Sequence, residues 1–248
     1  MTKGSVRLQE LLEELDELGL AKMSGALKSA YNSRDFLEKD RLELIGSIVD
    51  AEYETRMSSR YNGRLKKAHL LGCPESVSNC VDSTVREYAP YGLPQELGGL
   101  GFISQGLNVC ILGASDSGKS YLAKALGIKA CEYFRVSYNH CQEFLEELVA
   151  LKQSEFRKYQ KRVRSIIKLD LLILDDFLLH TITDESELKV LFEVMEKRSE
   201  LSRSTIVCSQ REPKAWASMM LKDEVTSNAI LKRATKHYTV VINLKDND

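Results

Sequence analysis

The 248-residue sequence has no apolar run near the roughly 20 residues that a membrane-crossing helix needs. It has four prolines, one tryptophan and a formal net charge of only −1. The first absence argues against a helical membrane protein. The opening Met1-Thr2-Lys3-Gly4-Ser5 leads into an acidic amphipathic stretch and not into the apolar core of a signal peptide, so a cytoplasmic protein with no membrane partner is expected. The near-zero charge balance says nothing about nucleic acid, and local clusters must carry that argument. The cysteines (Cys73, Cys80, Cys110, Cys131, Cys141 and Cys208) form no CxxC pair and have no histidine at metal-ligand spacing, which predicts reduced core thiols. What remains, 43% hydrophobic and 29% charged residues, is the composition of a soluble globular chain with one large domain, or one domain and a smaller companion.

Hydrophobic spacing divides the chain. Leu8, Leu11, Leu12, Leu15 and Leu18 follow the spacing of one buried helix face, which Gly19 breaks. A second short helix carries Met23, Leu27 and Tyr31. A third, from about Asp40 to Leu71, has Ile45, Val49, Tyr53, Met57, Tyr61 and Leu65 recurring every four residues. Gly72 and Pro74 supply helix-ending chemistry. Residues 1–72 therefore read as a small helical domain. Residues 73–106, with Pro74, Pro90, Pro94 and Gly98-Gly99, read as a linker or lid. From residue 107 to 248 apolar strand candidates alternate with helices: Asn108–Leu112, Val136–Tyr138, Leu171–Leu174, Thr205–Cys208 and Thr239–Ile242. That alternation predicts an α/β layer with a mostly parallel sheet.

Gly113-Ala114-Ser115-Asp116-Ser117-Gly118-Lys119-Ser120 matches the phosphate-loop pattern G-x4-G-K-[ST], where a strand ends and a helix begins. The glycines let backbone wrap around phosphate oxygens, and successive N–H groups at a helix N-terminus favour anions. Lys119 is expected to reach the β- and γ-phosphates and the Ser120 hydroxyl to ligate Mg²⁺; Tyr121 completes the nucleotide-contacting set. Asp116 would repel phosphate if it pointed inward, so it is expected to face solvent. Sixty-two residues after Gly113 (175 − 113), the run Leu171-Leu172-Ile173-Leu174 delivers Asp175 and Asp176 to the ligand-binding edge of such a sheet. Asp175 is expected to hold Mg²⁺ through water. Asp176 is expected to orient or deprotonate the attacking water.

With both motifs present, the chain resembles the IstB-type ATP-binding proteins, the transposition helpers of insertion sequences. It is also similar to the DnaC helicase loaders; both groups belong to the AAA+ ATPases. The resemblance runs through residues 108–127, Leu171–Phe177, Ser204–Trp216, Ala229–Arg233, and helical segments Leu15–Lys28 and Asp50–Leu71. It implies an AAA+ P-loop domain whose central sheet is flanked by helices, preceded by an all-helical domain and without a C-terminal helical lid. It implies ATP and Mg²⁺ as ligands, and slow hydrolysis stimulated by DNA or a partner. It implies assembly as a homo-oligomer on double-stranded DNA that is delivered to a cognate transposase. Ser209 and Gln210 take the position that senses the γ-phosphate, and Arg233 that of an arginine finger supplied to a neighbouring subunit. Two departures stand out. Relatives usually have glycine one residue after the residue that follows the acidic pair, where this chain reads Phe177-Leu178-Leu179. Relatives also continue into a Gly-x-Ser-x-Arg-like segment, where this chain ends Asn243-Leu244-Lys245-Asp246-Asn247-Asp248.

Two basic stripes are candidate DNA contacts: Arg56, Arg60, Arg64, Lys66 and Lys67, and Arg157, Lys158, Lys161, Arg162 and Arg164, the latter interleaved with Phe156 and Tyr159. Neither stripe carries a groove-reading motif, so little base specificity is expected. Three other readings fit parts of the pattern: a helicase loader, a small-molecule P-loop kinase, and a non-enzymatic DNA-binding protein with a decayed site.

Overall fold

The computed structural model describes residues 3–221 and 223–245, with side chains from residue 5 onward. It divides into two compact units, residues 1–63 and 64–248. In the first, α1 (Lys3–Glu17) packs against α2 (Ala21–Tyr31), and α3 (Arg41–Lys67) begins. Gly19, at φ +70°, ends α1 in the left-handed conformation that glycine adopts without penalty. Leu12 and Ile48 are buried here, but Ile45, Val49, Tyr53 and Met57 are 40–62% exposed, contrary to the buried stripe expected of them. The reason is geometric. A strict four-residue repeat advances by about 40° per step around a helix of 3.6 residues per turn, so such a row winds around α3 and does not hold one face.

The second unit contains the end of α3, then β1 (Arg86–Ala89), α4 (Leu93–Gly98), α5 (Gly101–Ser104), β2 (Val109–Gly113), α6 (Lys119–Ala130), β3 (Val136–His140), α7 (Cys141–Ser154), α8 (Phe156–Ile167), β4 (Leu171–Asp175), α9 (Glu185–Glu200), β5 (Ser204–Ser209), α10 (Pro213–Trp216), α11 (Glu224–Thr235) and β6 (Tyr238–Leu244). The five expected strands are all present. Residues 73–106 are not a linker: Val77, Tyr88, Leu93, Leu97, Phe102 and Ile103 are buried, and β1 is a strand of the sheet. The boundaries read from prolines and glycines (1–72, 73–106, 107–248) therefore differ from the division at residue 63, because those turns lie on a packed surface. No strand pattern is legible at β1, where Tyr88 is the one buried position in Arg-Glu-Tyr-Ala.

The sheet order is β1-β6-β2-β5-β4-β3, parallel throughout except for the antiparallel β1 on β6. Because β2, β5 and β4 run parallel, Gly113 and Asp175 end at the same edge. The pleat assigns faces. Cys110, Leu172, Leu174 and Val207 join a core with Phe144, Leu148, Val163 and Val194 of α7, α8 and α9. The alternate residues face α6, which is why Gly127 of α6 meets Ile173: a Cβ there would stand 2.8 Å from Ile173 Cδ1 and 2.8 Å from Leu70 Cδ1. Among the described residues no helix is long and apolar enough to cross a membrane. The cysteines are free, and all but Cys73 are buried; burial pushes the thiols of Cys110 and Cys141 up to about 12.

The opposite end of the sheet is held by an arginine with no exposed surface. Arg198 on α9 donates from Nη1 to the carbonyls of Ile166 (2.7 Å) and Leu169 (3.0 Å), from Nε to Thr205 Oγ1 (3.1 Å), and from Nη2 to the Ser204 carbonyl. One fork thus satisfies the end of α8 and the start of β5. Burial, helped by the neighbouring Arg203, pushes the guanidinium down to about 9. A lysine has one ammonium where this site needs a planar fork. Arg198→Lys is expected to lower unfolding free energy by about 2–4 kcal/mol, because buried carbonyls lose their donors; urea denaturation of the purified chain measures this, and a change below 0.5 kcal/mol would contradict the assignment.

Candidate functional site

β2 delivers the chain to the edge of the sheet at Gly113, and α6 begins at Lys119. Space fixes the first glycine: a Cβ on Gly113 would lie 2.5 Å from Ser117 Oγ and 2.6 Å from the Ile242 carbonyl oxygen. Gly118 caps α6 at φ +102° and supplies no side-chain acceptor, so the first amides of the helix face the loop unsatisfied. The Ser117 hydroxyl is fully buried without a hydrogen-bond partner among the described residues. A cradle with free amides, an orphaned hydroxyl and no room for side chains fits a phosphate group. Lys119, 5% exposed, donates to the Ala114 carbonyl at 2.6 Å, so the lysine closes the loop upon itself. Burial depresses its pKa, opposed by the charges of Asp175, Asp176 and Asp116. Lys119 and both strand-end aspartates therefore share one neighbourhood. Asp116 is exposed, at φ +57°. Tyr121 Oη accepts from the Ser76 amide (3.3 Å) and Asn79 Nδ2 (3.1 Å), which pins residues 76–79 over the start of α6.

Asp175 is 1% exposed and held on several sides. Tyr138 Oη donates to Oδ2 in a short hydrogen bond, and Oδ1 accepts from the Asp176 amide at 3.0 Å. The Cys208 thiol faces the same carboxylate, and with burial that negative neighbour keeps the thiol protonated. Tyr138 is likewise pushed up, by burial first and by Asp175 second. Asp176, at φ +52°, turns out of the strand, and its Oδ2 lies 3.3 Å from His140 Nδ1. Tyr138, His140 and Cys208 were absent from the sequence-derived site. Their signal is positional: β3 pairs with β4 so that His140 stands opposite Asp175, which is visible only once strand order is known. No group of three or more His, Cys, Asp or Glu able to hold a metal exists among the described residues. A divalent ion at this edge would thus rely on Ser120, Asp175, phosphate oxygens and water, a donor set that suits Mg²⁺.

The structure separates the expected sensor pair. Ser209 is fully buried; its hydroxyl donates to the Phe177 carbonyl (2.8 Å) and accepts from the Arg211 amide (3.1 Å). Its one proton is spent on joining β5 to the turn after the acidic pair, so Ser209 is a latch with no donor left for a phosphate oxygen. Gln210 is exposed and shares a cavity of about 530 Å³ with Gly113 and Ala114. Arg233 lies at the far end of the sheet, where its carbonyl accepts from Asn108 Nδ2, just before β2. It cannot serve its own loop. Its guanidinium pairs with Glu196 (3.2 Å) and stacks over Phe192 at 5.5 Å.

The basic stripes also divide. On α3 the four-residue spacing again winds around the helix. Arg56 is bound to Glu52 (2.7 Å) and the Gly19 carbonyl (3.0 Å), while Arg64 donates to the carbonyls of Cys131 and Glu132 beyond α6. Neither is free for DNA, and Arg60, Lys66 and Lys67 remain exposed. On α8, Tyr159, Val163 and Ile166 are buried beneath outward cations. Arg162 is taken by Glu147 and Lys158 by Glu155, leaving Arg157, Lys161 and Arg164 without an acidic partner among the described residues.

Comparison with known proteins places this geometry. The family model described as IstB-like ATP binding protein matches residues 13–248. A protein of Sinorhizobium fredii named as an insertion sequence ATP-binding protein, y4pL, is 30% identical over 223 residues, covering 90% of this chain and 88% of the relative. The ATP-binding protein named for insertion sequence IS232 of Bacillus thuringiensis is 27% identical over 237 residues, covering 94% and 91%. Among solved structures, replication initiator DnaA bound to AMPPCP and single-stranded DNA superposes with TM-score 0.57 at 21% identity, over 70% of this chain and only about half (51%) of that one. The DnaC helicase loader gives 0.54 at 14% identity, over 70% and 98%. These likenesses show the AAA+ P-loop fold.

The turn after the acidic pair carries a strained residue. Leu178 is buried at φ +53°, at the position where the family resemblance leads one to expect glycine. A β-carbon in that conformation costs roughly 1–2 kcal/mol. Leu178→Ala is expected to lose about 2–4 kcal/mol of stability through lost burial, and Leu178→Gly no more than that, because relief of strain offsets the extra lost atoms. Thermal or urea denaturation decides. A glycine variant clearly less stable than the alanine variant, as happens at ordinary positions, would contradict the strain.

Proposed function

The chain belongs to the IstB-like ATP binding protein family, and from that premise we propose that it is an ATP-hydrolysing helper of transposition, which assembles on double-stranded DNA and presents it to a cognate transposase. The observation that carries the nucleotide step is the convergence of Lys119, Asp175 and Asp176 at the loop with the orphaned Ser117 hydroxyl. Nucleotide entry would break the Lys119–Ala114 bond and turn the ammonium to the β- and γ-phosphates. Mg²⁺, when bound beside Ser120 and Asp175, supplies charge neutralisation on the phosphate oxygens. Tyr138 and Cys208 hold Asp175 in one orientation for that contact. Asp176 orients the attacking water and accepts its proton, with His140 fixing the carboxylate from behind. Gln210, exposed just past the end of β5, would feel the γ-phosphate.

Arg233 supports assembly by its position. It stands away from its own loop and would complete a neighbour's site, releasing Glu196 as the partner's phosphates take over the guanidinium. Such a finger makes hydrolysis depend on oligomerisation, so nucleotide acts as an assembly switch. For DNA, α8 is the better surface: Arg157, Lys161 and Arg164, which have no acidic partner among the described residues, stand on a firmly buried base, with Phe156 beside them. Transposition rather than helicase loading is supported by the relatives, which carry insertion-sequence names across most of their length, while DnaC shares only the fold.

Two measurements test the reading. ATP hydrolysis by the parent chain is expected to fall at least 100-fold in Lys119→Ala, and equal rates in both would remove the mechanism. Replacing Arg157, Lys161 and Arg164 together by glutamine should weaken binding to any duplex sequence and flatten the slope of log K against log salt by about 3. An unchanged slope would move the DNA surface elsewhere.

A further inference from the structure

Arg86 is absent from the site as read from the loop motif and the acidic strand, yet its guanidinium touches that site. A Cβ on Gly118 would stand 2.3 Å from Arg86 Nη1 and 3.5 Å from Cζ, the nearest atoms among the described residues outside its two chain neighbours. The guanidinium thus points Nη1 at the second glycine of the phosphate loop. Topology brings it there. β1 runs antiparallel to β6, with Arg86 opposite Leu244, so the first residue of β1 arrives at the edge where the parallel strands end. Backbone bonds anchor the approach: Ser83 and Arg86 are joined by a 2.8 Å bond from the Ser83 amide to the Arg86 carbonyl, and Lys245 donates to the Val85 carbonyl at 3.0 Å.

Three facts give this cation a task. First, no carboxylate lies within ion-pair distance of Arg86 among the described residues, although Arg135, Arg162, Arg203 and Arg233 all have one. Second, what surrounds it is neutral: the buried Tyr88 phenol and Cys80 thiol feel its charge, and both are kept protonated by burial. Third, the cradle it touches contains a fully buried serine hydroxyl without a partner and a helix start without a cap. A half-buried guanidinium with no carboxylate partner among the described residues, held against a phosphate-binding cradle, is placed to share the anion that the cradle binds.

We propose that Arg86 is a nucleotide-positioning residue, its guanidinium supplying from β1 a second cation to the phosphate chain of the nucleotide held by Gly113–Ser120. This rests on the nucleotide-binding reading of the loop and adds to it. Lys119 approaches from within the loop and Arg86 from the edge strand, so the chain clamps the polyphosphate between two cations carried by separate segments. Binding energy then reaches β1 and its partner β6, which joins the residue 73–106 region to nucleotide occupancy. A clamp of this kind favours di- and triphosphates over the monophosphate.

The test is calorimetric titration of the full chain with MgATP, MgADP and AMP, for the parent and for Arg86→Gln, Arg86→Lys and Lys119→Ala, each also melted without nucleotide. Loss of one charge-assisted hydrogen bond corresponds to about tenfold or more in affinity. Arg86→Gln is expected to bind MgATP and MgADP about tenfold or more weakly, with Arg86→Lys between it and the parent. Melting without nucleotide should stay unchanged, or rise as an unpaired buried charge is removed. Parent-like binding by Arg86→Gln, alongside loss in Lys119→Ala, would overturn the proposal and leave the loop reading intact. Equal weakening in the lysine and glutamine variants, or a melting drop matching the weaker binding, would reduce Arg86 to a packing role and also overturn it. No binding by the parent would take down both.

Discussion

The parallel pairing of β2, β5 and β4 is the constraint on which the rest of the molecule depends. Register places Ile111 beside Cys208 on β5 and Leu174 beside Val207, so Cys208 and Asp175 meet one step further along. Three strands thereby end together, and everything that turns at that edge is drawn to one place: the glycine loop, the acidic pair and Gln210. The pleat then decides orientation. Asp175 faces the side on which α6 packs, while Leu174 and Val207 face the core under α7, α8 and α9. A one-residue slip of β4 would exchange these faces and bury the carboxylate against leucines.

The buried carboxylate is stabilised by neutral donors rather than by a permanent cation. Tyr138 and Cys208 surround it, and both stay protonated because burial and the nearby negative charge act in the same direction. That arrangement orients Asp175 while leaving its charge unneutralised. The loop shows the complementary state, with Lys119 held to Ala114 and the Ser117 hydroxyl unsatisfied. Cation and anion stand in the same field without pairing directly, which suits a site completed by a ligand carrying both phosphate and metal.

What the residues disclosed on their own followed from local rules. The phosphate loop is contiguous, its spacing dictated by backbone geometry, and Asp175-Asp176 follow a run apolar enough to be a buried strand. Both motifs lie where expected, and the five strands of the parallel layer were legible from their apolar runs. The failures came where partners are distant in sequence. Tyr138 and His140 matter only because β3 lies beside β4. Ser209 becomes a latch because the Phe177 carbonyl is within reach, and Arg56 and Arg64 are consumed by carbonyls far from them in the chain. β1 has one buried residue in four, too little for a periodic signal, and the prolines and glycines on either side of it suggested a linker where the chain in fact packs. The four-residue rows on α3 looked like faces but wind around the helix.

The central claim is that the loop and the acidic pair form one site, closed on itself until a magnesium-bound triphosphate opens it. A high-resolution structure of the chain crystallised with Mg²⁺ and a non-hydrolysable ATP analogue tests it most directly. The account predicts that Lys119 Nζ leaves the Ala114 carbonyl for the phosphates, that the metal lies between Ser120 and Asp175, and that Tyr138 remains on Asp175. Analogue bound elsewhere, or seated at the loop with Lys119 still on Ala114 and no metal near Asp175, would contradict it.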